Sequence, residues 1–524
     1  MSCFMDFPFA PSYDVIVIGA SLAGLSATLS LSKQGKHVLV LERHNLPGGA
    51  ATSFVRSGVE FEASLHEMMS IGPAEAPHVV REYLESHDVH LSWERIPEAY
   101  RLYSKEDGID ITLHPGKEED GTFVAAIELE QAYPGSKEPA QRLLSLCEEV
   151  FRSVDKTNHR EISILEMAKD HLDLARTAGY SAQEVFDGLG LPLIVQKAFT
   201  PYWVYVGSPL SRLPFTVYAY LIADYFVGGA YFPKETSFGM ALAMAESCLR
   251  YGAQIEYRQT VDKILVEKGK IKGVRLESGK EILAPCVISG PYPETVYKKM
   301  VEPLSAVPEK ALKVVNMREH SSSNFSVLLL LDGSPEEIGI KGYNLFSSIG
   351  PVDSNRFYED QKKRGGWDLV SSTCLNFVLP DSVPKGQTML FLTQMVLPSA
   401  FMGVDPEQYH ALKRSLALDM VSHLEETVGY RLLDRIVEME IEAPMTHSRY
   451  NGQYLGLVYG YLHTMEDSIV ARTFDQEKEH FIPGLFFAGS HCPSGDGMAV
   501  NIQNGIDAAR FAEKYLKKKP RSRG

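Results

Sequence analysis

Between Tyr13 and Phe54 the chain reads YDVIVIGASLAGLSATLSLSKQGKHVLVLERHNLPGGAATSF. An apolar run, Val15 to Ile18, breaks at Gly19. A small-residue segment follows, Leu22 to Leu31, and a second apolar run, Val38 to Leu41, stops at Glu42. That order predicts strand, tight turn, helix, strand: a βαβ unit. Gly19 permits the sharp turn, and Gly24 lets the helix pack close to the sheet. The helix begins at Ser21, Leu22 and Ala23. Its free N–H groups and positive dipole end suit a pyrophosphate. Glu42 stands 23 residues beyond Gly19, where a carboxylate accepts from ribose hydroxyls. The pattern departs from G-x-G-x-x-G at one point. Ser21 replaces the middle glycine, and its Cβ restricts how closely a phosphate approaches. An ordinary crossover with a glycine turn is the alternative, and strand, helix and acid at the expected spacing count against it.

At 524 residues the chain exceeds one ordinary hydrophobic core, which implies two domains. Apolar residues make up 44% and charged residues 23%, the balance of a soluble globular protein. A net charge of −15 argues against a nucleic-acid partner, which needs a basic face. The six cysteines form no CxxC pair, so no zinc ribbon, dithiol centre or other metal site is expected. Sparse cysteines suit a reducing compartment. The N-terminal stretch carries Asp6 and no long apolar core, and no run reaches the roughly 18 uncharged apolar residues of a spanning helix. The expectation is a cytoplasmic protein, at most bound to a membrane surface.

Along the chain, Pro47-Gly48-Gly49 and Ala50 form a bare-backbone loop, followed by a short strand from Gly58 to Glu62. Helices are expected at 75–87, 138–151, 162–178 and 182–199, with a strand at 107–113. Between Thr200 and Pro233, ten of 34 residues are aromatic. These rings either line a tunnel for a long apolar substrate, form a membrane-contacting lip, or fill a core. A helix from 238 to 251 precedes strands at 254–257, 261–267, 271–277, 281–284 and 287–289. Further strands are expected at 325–331, 375–379 and 389–397, the last two as a hairpin. A helix is expected over 405–428, capped by Asp405. Near the end, FFAGSHCPSGDGM gives a strand, a Gly-rich turn and a helix from Met498. The closing KKKPRSRG is basic and reads as a solvated helix end, with contact to anionic lipid as the other reading.

The βαβ unit, the GG loop after Glu42, the G-x-x-F-acid strand and the closing turn together resemble the phytoene desaturase, carotenoid isomerase and retinol saturase group of FAD-dependent oxidoreductases. That group lies within the amine-oxidase-like superfamily. The resemblance spans nearly the whole chain. It implies an α/β fold, with a discontinuous Rossmann-like FAD-binding domain built from 12–75, 238–295 and 441–516. An α+β substrate domain would comprise 76–237 and 296–440, leaving 517–524 as a basic tail. FAD would be held by Gly19, Ser21, Leu22, Ala23, Gly24, Glu42, Arg43, Gly48, Gly49, Ala50, Val261, Gly489, Ser490, Gly497 and Met498. Three details depart from the group: Glu62 where Asp is commoner, Gly252-Ala253 for a glycine pair, and Ser490 where an Asp often stands.

No second strand–GxGxxG–helix unit occurs, so a dedicated nicotinamide domain is not expected, and neither the electron donor nor the acceptor can be named. The resemblance implies chemistry on carbon–carbon bonds of a long apolar polyene, isoprenoid or lipid: desaturation, saturation or isomerisation. Such chemistry asks the protein for few side chains beyond one acid or base. Candidates are His66, His491 and Glu62, with His463 and Asp496 behind them. Alternatives are an amine-oxidising flavoenzyme of the same superfamily and a non-catalytic prenyl-binding relative.

Overall fold

The computed structural model describes residues 9–157, 163–465 and 480–518. Its centre is a five-stranded parallel sheet. The strand order is Leu485–Phe487, Val287–Ser289, Val15–Ile18, Val38–Glu42 and Gln254–Tyr257. Strands from the beginning, middle and end of the chain are thus hydrogen-bonded neighbours, with Val17 beside Ile288 and Ile288 beside Phe486. Val15–Ile18 and Val38–Glu42 are buried along their whole length, as apolar runs in a covered parallel sheet must be.

Helices Leu22–Lys33, Thr236–Arg250 and Met498–Lys518 pack on this sheet and on one another. The opening and closing helices touch backbone to side chain: Ser26 Oγ donates to Ile502 O at 2.8 Å. A smaller four-stranded sheet, built on Val261–Glu267 and Lys270–Leu276, flanks this layer.

The second large sheet has seven strands, in the order Ile436–Glu442, Ser323–Asp332, Gln387–Val396, Leu369–Cys374, Asn344–Ser348, Tyr100–Ser104 and Ile109–Leu113. It is antiparallel except where Asn344–Ser348 runs parallel to Tyr100–Ser104. Helix Pro406–Val428 covers one face, with Asp405 capping it through the Glu407 N–H. The last strand runs to Glu442, two residues past the boundary expected at 440.

Several expected elements differ in detail. The helix expected over 182–199 is two, Ala182–Gly188 and Leu193–Ala198, because Pro192 cannot continue the first. That over 162–178 breaks at His171 into Ile164–Asp170 and Leu172–Thr177. The segment 375–379 is not a strand. The strand ends at Cys374 and Leu375–Phe377 is a 3-10 turn, held by Asn376, whose side chain bonds Gln387 O and Met389 N. The end of the basic tail, 519–524, lies outside the described residues. Among the described residues, no helix is long and apolar enough to cross a membrane.

Candidate flavin cradle and substrate cleft

The cradle forms where the parallel strands end. Gly19 turns the chain with φ +101°, and its N–H donates to Leu41 O at 2.9 Å. Gly24 is fixed by sterics: a Cβ there would stand 2.1 Å from Gly19 O. Ser21 caps the helix, its hydroxyl accepting from Gly24 N, and so performs a task a glycine would not. The loop after Glu42 folds back onto this turn. Gly48 N donates to Ala20 O at 2.8 Å, and a Cβ on Gly49 would lie 3.2 Å from Ser21 Cβ. Glycines at 48 and 49, with φ +112° and +65°, are what permit that approach.

Glu42 is buried at the end of its strand. Its carboxylate accepts from Ala20 N and His44 N, both at 2.7 Å. These two bonds aim the carboxylate across the turn and leave lone pairs for ribose hydroxyls. Arg43 reaches elsewhere, donating to Arg449 O and Tyr450 O, and thereby pins the last turn of helix Pro444–Asn451 to the cradle. Val261 starts its strand just beyond Gln259, whose N–H donates to Glu42 O at 2.9 Å.

The closing turn supplies the opposite wall. Asn504 Nδ2 bridges Gly489 O and Gly495 O, each at 3.0 Å. Asn501 Nδ2 donates to Ser490 Oγ and to Gly497 O. Helix Met498–Lys518 starts immediately after Gly497, as helix Leu22–Lys33 starts immediately after Ser21. A glycine-bared turn, a carboxylate at the neighbouring strand end and two helix N-termini fit a dinucleotide.

A cleft of about 1570 Å³, counting its mouth, opens beside the cradle. Ala50, Ser490, Gly497 and Met498 line it from the cradle side. Leu65, His66, Glu67 and Met68 form another wall, and the seven-stranded sheet presents Asn324, Ser371, Thr393 and Glu442. Of the ten rings in 200–233, Trp203, Tyr205 and Tyr225 line the cleft. The other seven do not. Tyr202, Phe215, Tyr218, Phe226 and Phe232 are core residues with 0% exposure, so core packing accounts for most of the aromatic density.

The three expected catalytic candidates part company. His66 is in the cleft wall. Its Nδ1 meets Thr373 Oγ1 at 3.0 Å, and burial lowers its pKa to about 4, so the ring is neutral. Glu62 is not in the wall. Its carboxylate binds Ser237 N at 2.9 Å, Ser237 Oγ and Leu65 N, tying its strand to the start of helix Thr236–Arg250. His491 faces a second, smaller cavity, its ring tilted against Tyr292 with centroids 4.8 Å apart. Among the described residues, neither of its ring nitrogens has a partner. Burial lowers its pKa to about 4. The turn that exposes backbone to the cleft at Ser490 points the next side chain away. His463 and Asp496 are buried together, with Nε2 and Oδ2 3.4 Å apart, and Asp496 Oδ1 accepts from Gly460 N.

Three acids line the cleft, Glu67, Glu442 and the sequence candidate Asp496. Tyr205 OH donates to Glu67 Oε1 at 2.6 Å. Burial pushes the carboxyl up to about 8, and nearby Glu98 adds to the rise. Glu442 is likewise raised to about 8 by burial. Nothing in the sequence marks Glu67 beyond its place next to His66, and nothing marks Glu442, which is distant in the chain.

The sequence profile of the family described as "Flavin containing amine oxidoreductase" matches residues 22–510. Flavin chemistry on a dinucleotide cradle makes FAD the cofactor. The chain is 24% identical over 522 residues to prolycopene isomerase 2 of an Oncidium hybrid cultivar, covering 95% of this chain and 84% of that one. It is 22% identical over 490 residues to an all-trans-retinol 13,14-reductase of Danio rerio, covering 85% and 77%. A solved structure of a putrescine oxidase variant superposes with a TM-score of 0.63 at 12% identity, covering 97% of this chain and 99% of that one. That likeness establishes the shared fold. With the profile spanning almost its whole length, the chain belongs to the flavin-containing amine oxidoreductase family.

Proposed function

We propose that the protein is an FAD-dependent oxidoreductase acting on carbon–carbon double bonds of a long apolar polyene, by saturation, desaturation or isomerisation. The similarity of most of the chain to prolycopene isomerases and all-trans-retinol 13,14-reductases carries this reading. The cleft supports it, with Leu65, Met68, Leu221 and Met395 among its apolar walls. Bound FAD supplies hydride transfer to or from carbon.

The chain's own residues do the rest. The apolar walls exclude water and hold an extended chain in register. Glu67, neutral at pH 7, keeps a proton on the cleft wall, while Tyr205 fixes its orientation. Neutral His66 beside it can take or return a proton. We assign the acid–base work to this pair. Glu62 keeps a structural role and His491 lies in a different cavity.

We further propose peripheral contact with a lipid surface, from which so apolar a substrate is drawn. Supporting it, the short helices Ile164–Asp170, Leu172–Thr177 and Leu193–Ala198 expose Leu165 by 77%, Leu172 by 44% and Leu193 by 64%. The functional reading is tested by purifying the protein with added FAD and recording its spectrum and its action on polyenes. Flavin absorbance with a changed polyene product is the expected result. A protein that neither retains nor binds FAD would end the reading.

A further inference from the structure

Two walls of the cleft are joined behind it, at Ser70 and Asp224. Ser70 follows the lining segment that carries His66 and Glu67, and Asp224 lies between the lining residues Leu221 and Tyr225. Asp224 has 0% exposure. Its Oδ1 accepts from Ser70 N at 3.1 Å, and its Oδ2 accepts from Ser70 Oγ. Ser70 stands at φ +62°, a left-handed backbone that a residue with a side chain keeps only when its surroundings hold it there.

Asp224 also opens the π turn Asp224–Gly228, a widened turn that shifts the residues after it out of α-helical register. Tyr225, second in that turn, packs with its ring centroid 5.8 Å from that of Tyr205, whose hydroxyl holds Glu67. One buried carboxylate therefore sets the segment bearing His66 and Glu67 against the ring that flanks Tyr205.

A buried carboxylate needs a charge partner. His78 supplies it, with Nδ1 3.5 Å from Asp224 Oδ1. The His78 side chain is 28% exposed, so it exchanges its proton with solvent. The ring has a fitted slot. A Cβ on Gly72 would stand 2.7 Å from His78 Cδ2, and one on Gly228 would stand 2.5 Å from His78 Cε1. Gly72 follows Ser70 by two residues and Gly228 closes the π turn. The imidazole is thus wedged between the two segments that Asp224 joins.

The Asp224 carboxylate raises the pKa of His78, burial opposes it, and Asp155 of helix Lys137–Thr157 and Glu82 of helix Val79–Ser86 add to the rise. Arg81 turns to Gly72 O at 3.3 Å and pairs with Glu85. Burial, with Asp224 and Asp155 near it, raises the Tyr220 hydroxyl of helix Phe215–Ala223, which stays neutral.

We propose that Asp224 and His78 are positioning residues for the cleft and form a latch worked by one proton: protonated His78 locks Asp224 between the two walls, and loss of that proton frees the walls and loosens their hold on substrate. A folded-state pKa above the unfolded value, about 6.5 for histidine, makes this contribution full below that value and lost as pH rises through the folded one. The latch is therefore closed in mildly acid solution and opens toward alkaline pH. It rests on Ser70, Asp224 and His78 alone, whereas its effect on a polyene rests on the functional reading above.

Two measurements on the FAD-loaded protein separate the two. Hydrogen exchange of the peptide carrying residues 65–72, corrected for the intrinsic effect of pH, needs no substrate. Its protection should fall at least about fivefold between about pH 6 and about pH 9 in the wild type. In His78→Gln the protection should be low and equal at both values, and Asp224→Asn, which keeps the histidine, should lose it as well. Affinity for all-trans-retinol should weaken several-fold over the same range in the wild type, and by less in His78→Gln, which retains Glu67. Exchange that responds to pH in the wild type alone, with no retinol bound at either pH, would remove the polyene reading and uphold the latch. Retinol binding with exchange that ignores pH, or that responds equally in His78→Gln, would overturn the latch and leave the polyene reading standing. A retinol affinity that is the same at both values would overturn the positioning role.

Discussion

Gly505 of the closing helix lies against Ser26 of the opening helix so closely that a Cβ on it would stand 2.0 Å from Ser26 Oγ and 2.1 Å from Ala23 O. Residues almost 480 positions apart thereby hold the two helix N-termini of the cradle at one spacing. Gly505→Ala should force the helices apart, cost about 1–3 kcal/mol by overpacking, and lower FAD retention. Thermal melting and the ratio of flavin to protein absorbance check both. Unchanged flavin content would show that the cradle tolerates a shift of this contact.

The Glu42 carboxylate has two backbone partners and spare lone pairs. Glu42→Ala should leave the far-ultraviolet circular dichroism close to wild type and weaken FAD binding at least about tenfold, the worth of roughly one charge-assisted hydrogen bond. Equal FAD affinity, measured by titration of the apoprotein, would remove Glu42 from the ribose.

The βαβ unit, the closing helix and the helix cap at Asp405 were legible because each is a local pattern: periodicity, a glycine, a cap. The strand order of the parallel sheet was legible only in outline, since Val287–Ser289 meets Val15–Ile18, and Leu485–Phe487 meets Val287–Ser289, through long-range pairing. The site divided the same way. Gly24 and Gly48 announce themselves, because close backbone approach demands glycine. Glu67 and Glu442 do not, because a buried acid carries no sequence mark until the fold removes its water. His491 shows the converse: a histidine in a Gly-rich loop reads as active, yet the turn directs it into another cavity.

Burial raises three carboxyls, Glu62 to about 7 and Glu67 and Glu442 to about 8. An unfolded glutamate titrates near about 4.3. Above that value the folded protein keeps protons that the unfolded chain has released. Each contribution is therefore full at low pH and is lost as pH rises through the folded value, at about 1.4 kcal/mol per pH unit and group. Burial lowers His66, His447 and His491 to about 4, so their contribution falls as pH drops from about 6.5 toward 4. Stability should fall from pH 6.5 to 8, and Glu67→Gln should flatten that fall. Urea unfolding at the two pH values measures it. An undiminished slope in the variant would mean that Glu67 is ionised in the folded state.

Among the described residues neither ring nitrogen of His491 has a partner, and the ring packs between Tyr292, tilted by 48°, and Phe487, edge-on at 88°. His491→Phe should therefore keep polyene turnover within about twofold and hold or raise the melting temperature, since an unpaired buried polar group costs about 1–3 kcal/mol. His66→Phe should lower turnover at least about tenfold. The reverse pattern would move the acid–base chemistry to the smaller cavity.

Liposome co-sedimentation reads the lipid-surface proposal. Wild type should pellet with vesicles, and Leu165→Glu combined with Leu193→Glu should reduce the pelleted fraction several-fold without changing flavin content. Equal pelleting would place any lipid contact elsewhere.

The central claim is that this flavoprotein exchanges hydride with carbon in a polyene. Its most direct measurement is anaerobic photoreduction of the FAD-loaded protein, followed by polyene addition with the flavin absorbance and the products recorded together. The account predicts reoxidation of the flavin matched by a saturated product, or geometric isomerisation that depends on reduced flavin, or, for the oxidised protein, reduction of the flavin by a more saturated substrate. A flavin that responds to no polyene in either redox state, but is reduced by amines with release of peroxide, would contradict it.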